Sequence, residues 1–228
     1  MSRGAPKVLF VELERVTNQL EQLMKAPIRE RVTSSADESP NRLAIDDSFI
    51  QEWAPRYDRI AGDEPEYQRL VGAVAEDIAS TGTLSRETYL AIWHWKGAMR
   101  TIRFVQLEVY EERYAEAIRQ AVRTSPQQRM DVLIGTGGKL PGVEAPTAST
   151  LLHFMHPEEM PIIDVRTVGV LFVAGLISSP RRDLEHYEEF RQAILGIQSS
   201  CPERSLREID RALFAYHKEN LDKSGQDL

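Results

Sequence analysis

Two features of the chain have residue types and spacing that could do chemistry. One is Leu140-Pro141-Gly142-Val143, a tight turn before an apolar stretch from Pro146 to Phe154; the other is Asp164, 22 positions beyond Gly142. A Leu-Pro-Gly-Val turn between two helices has the form of a helix-hairpin-helix. Such a turn, with the N-terminus of the second helix, points backbone N–H groups outward where the helix dipole adds partial positive charge. Phosphate oxygens satisfy those donors whatever the base sequence. Gly142 supplies conformational freedom, and Leu140 and Val143 are expected to bury the turn against its helices. A carboxylate placed just beyond turns a binding device into a candidate active site. Taken singly, each feature also has a plain structural reading: the tetrapeptide as an interhelical link, Asp164 as a helix N-cap.

The elements that must position these residues repeat at helical spacing. Leu9, Leu13, Val16, Leu20 and Leu23 form one amphipathic stripe, and residues 26–45 read as a polar loop. Tyr67, Leu70, Val71, Val74 and Ile78 form a second stripe, ended by Gly82. Ser85 caps a long helical segment from about Arg86 to Val122, with a break near Gly97. Gln127 to Ile134 and Pro146 to Phe154 flank the hairpin, and Pro146 suits a first helical turn. Asp164 and Asp183 start further helices, and Ser205 with Glu208 makes a capping box for the last. No alternating strand pattern and no repeat stands out, so the expected fold class is all-α. The expected division is 1–84 as N-terminal helices packing with the C-terminal lobe, 85–160 as a lobe carrying the hairpin, and 161–228 as a lobe bringing Asp164 to a cleft.

Composition narrows the function classes. The chain has 228 residues, long enough to bury a proper core, with 42% apolar and 28% charged residues. The apolar run Val168–Ile177 is far short of the ~20 residues that span a bilayer. Met1 to Lys7 is followed by an apolar stretch broken at Glu12 and Glu14, which does not read as a signal peptide, so a cytoplasmic protein is expected. The single Cys201 excludes an internal disulfide and any four-thiolate metal site. Net charge is −7, against a surface basic all round. Residues 96–139 nevertheless hold eight Lys/Arg against five acids, so the basic character is local.

The hairpin and its Asp resemble the helix-hairpin-helix–GPD superfamily of DNA glycosylases. Their pattern is Leu-Pro-Gly-Val/Ile-Gly, two variable positions, Thr-Ala, an apolar helix and then an Asp. Here Leu140, Pro141, Gly142, Val143, Thr147 and Ala148 match, and Asp164 has the expected spacing; the likeness covers roughly Gln127 to Val170. The resemblance implies a two-lobed helical body with double-stranded DNA across the cleft and one damaged or modified base flipped out. Asp164 would stabilise the oxocarbenium-like sugar, or activate water for attack on C1′, as the N-glycosidic bond breaks. Lys139, the turn residues, Thr147 and Arg166 would hold the DNA. No cofactor is implied beyond a monovalent cation that hairpin carbonyls hold in some relatives.

Three positions depart from the family pattern. Pro146 stands where bifunctional members carry a Schiff-base lysine, which excludes that lyase route. Glu144 replaces the second glycine, setting a carboxylate beside phosphate-facing amides. Arg166 follows Asp164 by two, where many relatives have His. Glu144, Pro146 and the acid excess fit an alternative, a non-catalytic helix-hairpin-helix module that binds nucleic acid or a protein. The oligomeric state is open.

Beyond the hairpin, Trp93, Lys96, Arg100 and Arg103 step by three, four and three and can share one helical face. Such a face suits nucleic-acid contact, with Trp93 as a wall of the base pocket; a solvated edge with Trp93 half-buried is the alternative. Trp95 falls on another side and reads as core. His153 and His156 lack a third ligand at a defined spacing and read as structural, so no metal is expected.

Overall fold

The computed structural model describes residues 43–98, 110–135 and 140–222. Their regular structure is helical: α1 Asp47–Ile60, α2 Glu64–Thr81, α3 Arg86–Lys96, α4 Tyr110–Arg123, α5 Arg129–Ile134, α6 Ala145–Met155, α7 Val165–Val173, α8 Leu184–Ser200 and α9 Leu206–Tyr216. A 3₁₀ turn, Pro126–Gln128, leads into α5, and α9 runs on into a π-type turn, His217–Leu221. The all-α class therefore holds for the described residues. The stripe from Leu9 to Leu23, the loop up to residue 42, and Arg100, Arg103 and Lys139 lie outside them.

Most helix ends follow from capping chemistry. Asp46, Ser85, Asp164, Asp183 and Ser205 each accept a backbone N–H of the first turn through a side-chain oxygen, which satisfies a donor with no partner inside the helix. Gly82 and Gly97 stop α2 and α3 in the left-handed conformation, at φ 70° and 69°. The Gly97 stop has a consequence for function. The helix carrying Trp93 and Lys96 ends at Gly97, and the stripe's other two members, Arg100 and Arg103, lie outside the described residues.

Packing starts from α1, which lies along α9, while α2 and α3 rest on α6. The described helices belong to one unit, Arg42–Leu228. One apolar core runs through it from Phe49 and Leu70, by Trp93 and Leu151, to Ile194 and Leu213, so the segments either side of residues 84 and 160 share it. The stripe Tyr67, Leu70 and Val74 is buried in it, as its spacing predicts.

His153 lies in this core and is 1% exposed. Its Nδ1 is 2.9 Å from the Met160 carbonyl, which only accepts, so Nδ1 carries the proton and Nε2 accepts from the Tyr67 hydroxyl at 2.8 Å. That makes it a structural neutral imidazole, in line with its sequence reading. Burial pushes its pKa from 6.5 down to about 4. Between those values the unfolded chain binds more protons, so this contribution is complete above pH 6.5 and is lost as pH falls toward 4. The shift corresponds to about 3 kcal/mol. In urea titrations, the stability difference between wild type and His153→Gln should shrink by about that amount from pH 7 to pH 4. A difference that stays constant across the range contradicts the neutral, desolvated assignment.

Candidate functional site

The hairpin forms as its residues dictate. Leu140 N–H donates to the Leu133 carbonyl at 2.9 Å, tying the end of the loop back to α5. Val143 N–H donates to the Leu140 carbonyl at 3.1 Å, closing a turn in which Gly142 has φ 77°, a conformation a side chain at that position would strain. Leu140 and Val143 are fully buried.

The turn spends donors that a phosphate would need. Val143 N–H is used within the turn, Glu144 N–H donates to Thr147 Oγ1 at 2.8 Å, and Pro146 has no N–H. Thr147 Oγ1 also donates back to the Glu144 carbonyl, so this hydroxyl is engaged with the helix start. The Glu144 side chain is exposed at the N-terminus of α6. The Leu140 carbonyl, a hairpin oxygen of the kind that holds a cation in some relatives, accepts the Val143 N–H within the turn.

Asp164 is both cap and cleft residue. Its Oδ1 accepts the N–H groups of Arg166 at 2.7 Å and Thr167 at 3.0 Å, while Oδ2 makes no hydrogen bond among the described residues. The half-buried side chain borders a cleft of about 400 Å³, within the ~300–1,000 Å³ usual for small-molecule sites. Tyr57 of α1, Trp95 and Lys96 of α3, Pro146 of α6, and Arg207, Asp210 and Phe214 of α9 also line it. Its charges are mixed: Lys96, Arg166, Arg182 and Arg207 face Asp63, Asp164 and Asp210.

This cleft requires a correction at α3. Trp93 is fully buried, edge-on to Tyr89 at 5.1 Å, and is no wall of a base pocket. Trp95 borders the cleft instead, with its other contacts on Tyr67 and Phe154 in the core. Its Nε1 is buried and makes no hydrogen bond among the described residues, leaving a donor that a bound group could use. Lys96 lies at the cleft. Arg166 meets Asp164 through its backbone N–H, whereas its guanidinium lies over the Phe214 ring, 4.7 Å from the centroid.

No family model, curated protein or solved structure matches this chain. Its functional reading therefore rests on the geometry of the site.

At the inner side of the cleft is a charge cluster on α9. Arg207, whose side chain is 6% exposed, pairs with Asp63 at 2.9 Å, Asp210 at 2.8 Å and Glu64 at 3.3 Å. Its guanidinium also lies within 4.6–5.3 Å of the ring centroids of Tyr57, Tyr67 and Trp95. Burial raises the Asp210 pKa to about 6, Arg207 pulling it down and Asp164 pushing it up. A helical-face signal for these residues was present in the sequence: Arg207, Asp210 and Phe214 step by three and four.

Asp183, Glu185 and His186 bring potential metal-ligand atoms within 4.8 Å of one another. Asp183 caps α8 there, accepting His186 N–H at 3.1 Å and pairing with Arg181 at 3.0 Å. Helix capping accounts for that arrangement without an ion. Cys201 is buried, and burial raises its thiol pKa, which fits an inert side chain.

Proposed function

We propose that this protein is a monofunctional DNA N-glycosylase of helix-hairpin-helix type, in which Asp164 hydrolyses the bond between a flipped, modified base and its sugar. The observation that carries the reading is the setting of Asp164. One oxygen is fixed by two backbone N–H groups, the other is uncommitted, and the side chain borders a cleft with Tyr57, Trp95 and Phe214 in its walls. Aromatic walls suit an unstacked base, which here would share the rings with Arg207, against Tyr57 and Trp95, and with Arg166, against Phe214. A carboxylate oriented by its helix start stabilises positive charge developing on the sugar without reorganising during the reaction. Where C1′ is attacked by water, the same oxygen serves as general base.

A second reading rests on the turn itself. With Val143 and Glu144 N–H groups engaged, Pro146 lacking one and Glu144 exposed, the hairpin is a poor phosphate cradle, which favours a non-catalytic interaction module. Duplexes each carrying one deaminated, alkylated, oxidised or mismatched base, incubated with the full chain and then treated with alkali, separate the two. Alkali-labile strand breaks with release of free base on at least one duplex are expected. Intact strands and no free base across the whole panel overturn the glycosylase in favour of the module.

A further inference from the structure

A groove of about 1010 Å³ adjoins the Asp164 cleft, and Pro146, Val165, Arg166 and Arg182 border both. Beyond those four it is lined on one side by Arg181 and Asp183 and on another by Lys218 and Asp222. Each acid is matched by a cation: Asp183 by Arg181 at 3.0 Å, and Asp222 by Lys218 at 2.6 Å. Arg166 and Arg182 make no ion pair among the described residues, and Arg182 is exposed. In a chain of net charge −7, the exposed Arg182, with Arg166 packed on Phe214 beside it, makes a local polyanion site where the groove meets the cleft.

We propose that this groove holds the phosphate backbone of the nucleic-acid strand whose extruded nucleotide enters the Asp164 cleft. Arg182, at the junction, contacts the phosphate next to that nucleotide, and Arg181 and Lys218 continue the contact along the strand. The inference rests on the glycosylase reading for the strand's identity and changes where the strand is held. Phosphate contacts move from the turn, where the Val143 and Glu144 N–H groups are engaged, to guanidinium groups that meet phosphate oxygens through two parallel N–H bonds. Val165, 38% exposed at the same junction, offers an apolar contact between the two sites.

The test is fluorescence anisotropy with a labelled duplex carrying one central unpaired nucleotide, measured across salt concentrations with the full-length protein. Arg182→Gln should weaken binding by about 3- to 10-fold at low salt and reduce the slope of log K against log salt by about one. The triple variant Arg181→Gln/Arg182→Gln/Lys218→Gln should lose about 100-fold or more and between about one and three in slope, since Arg181 and Lys218 must exchange Asp183 and Asp222 for phosphate. Arg119→Gln, a change on the exposed face of α4, should leave both unchanged. Thermal melting of each variant checks that the fold persists. If the triple variant melts like wild type and keeps its affinity and slope, the phosphates lie elsewhere and the groove assignment is wrong, while the nucleic-acid reading stands. No binding by the wild type removes both. Groove-dependent binding with no base release on any lesion keeps the groove and removes the chemistry.

Discussion

Asp164→Asn is expected to keep the fold and lower base release by about 10²- to 10³-fold, the range seen when one charge-stabilising group is removed from an active site. The fold is expected to persist because asparagine caps a helix about as well as aspartate. Its side-chain oxygen can accept from Arg166 and Thr167 as Oδ1 does now. What is lost is the negative charge facing the sugar and the ability to take a proton from water. Asp164→Ala differs: it removes the cap as well, and should cost about 1 kcal/mol of stability in addition to the lost rate. Single-turnover kinetics on the best lesion, with urea melts of both variants, read the two effects separately. An Asp164→Asn protein retaining more than a tenth of the wild-type rate would reduce Asp164 to a helix cap.

The cap at Asp164 shows where sequence reading works, and α3 shows where it stops. The capping role is local: an Asp followed by Thr three positions later and an apolar helix is enough to place it. The hairpin is local too, because Leu140, Gly142 and Val143 sit within one turn and each has a single conformational task. At α3 the same approach misassigned the aromatics. The spacing of three, four and three puts Trp93 with Lys96, Arg100 and Arg103, but α3 ends at the Gly97 break, where that spacing loses its meaning. The apolar face of α3 then turns Trp93 inward with Tyr89 and Ile92, and Trp95 is left at the cleft beside Lys96.

The inner side of the cleft was not legible for another reason. Arg207 meets Asp63 and Glu64 across 144 and 143 positions, and no periodicity in one sequence connects them. Within α9, the Arg207–Asp210 spacing resembles an ordinary surface pair, which stabilises by only a few tenths of a kcal/mol. Its burial is set by α1 packing along α9 and by Tyr67 and Trp95 against its guanidinium, a tertiary fact. Charge totals were misleading in a similar way. Net charge −7 says nothing of where the charges sit: Asp63, Asp210 and Asp58 are held by Arg207 and Arg211, a pairing no total reveals.

Arg207→Met should destabilise the protein by about 3–5 kcal/mol at pH 8, as removal of one partner from a buried ion cluster does. Methionine keeps much of the packing among Tyr57, Tyr67 and Trp95, so the loss reports mainly the carboxylates left behind. Asp210 matters most, because its side chain is only 13% exposed and Arg207, more than Lys96, pulls its pKa down. The pH dependence has a definite sign. With its folded pKa already raised to about 6, Asp210 binds its proton more readily in the native state than unfolded; its contribution favours folding in acid and is lost as pH rises through 6. Without Arg207 that pKa rises further, so the penalty relative to wild type should be greatest at pH 8 and smaller at pH 5.5. Adding Asp210→Asn removes the stranded charge and should recover a substantial part of the loss at pH 8. Guanidinium denaturation of the single and double variants at both pH values measures this. A loss below about 1 kcal/mol at pH 8, or one that does not change with pH, would mean the carboxylates are solvated rather than held by Arg207. The same change reaches the site, since Arg207 and Asp210 border the cleft that Asp164 faces. Base release in Arg207→Met should therefore fall even at temperatures where the variant is fully folded.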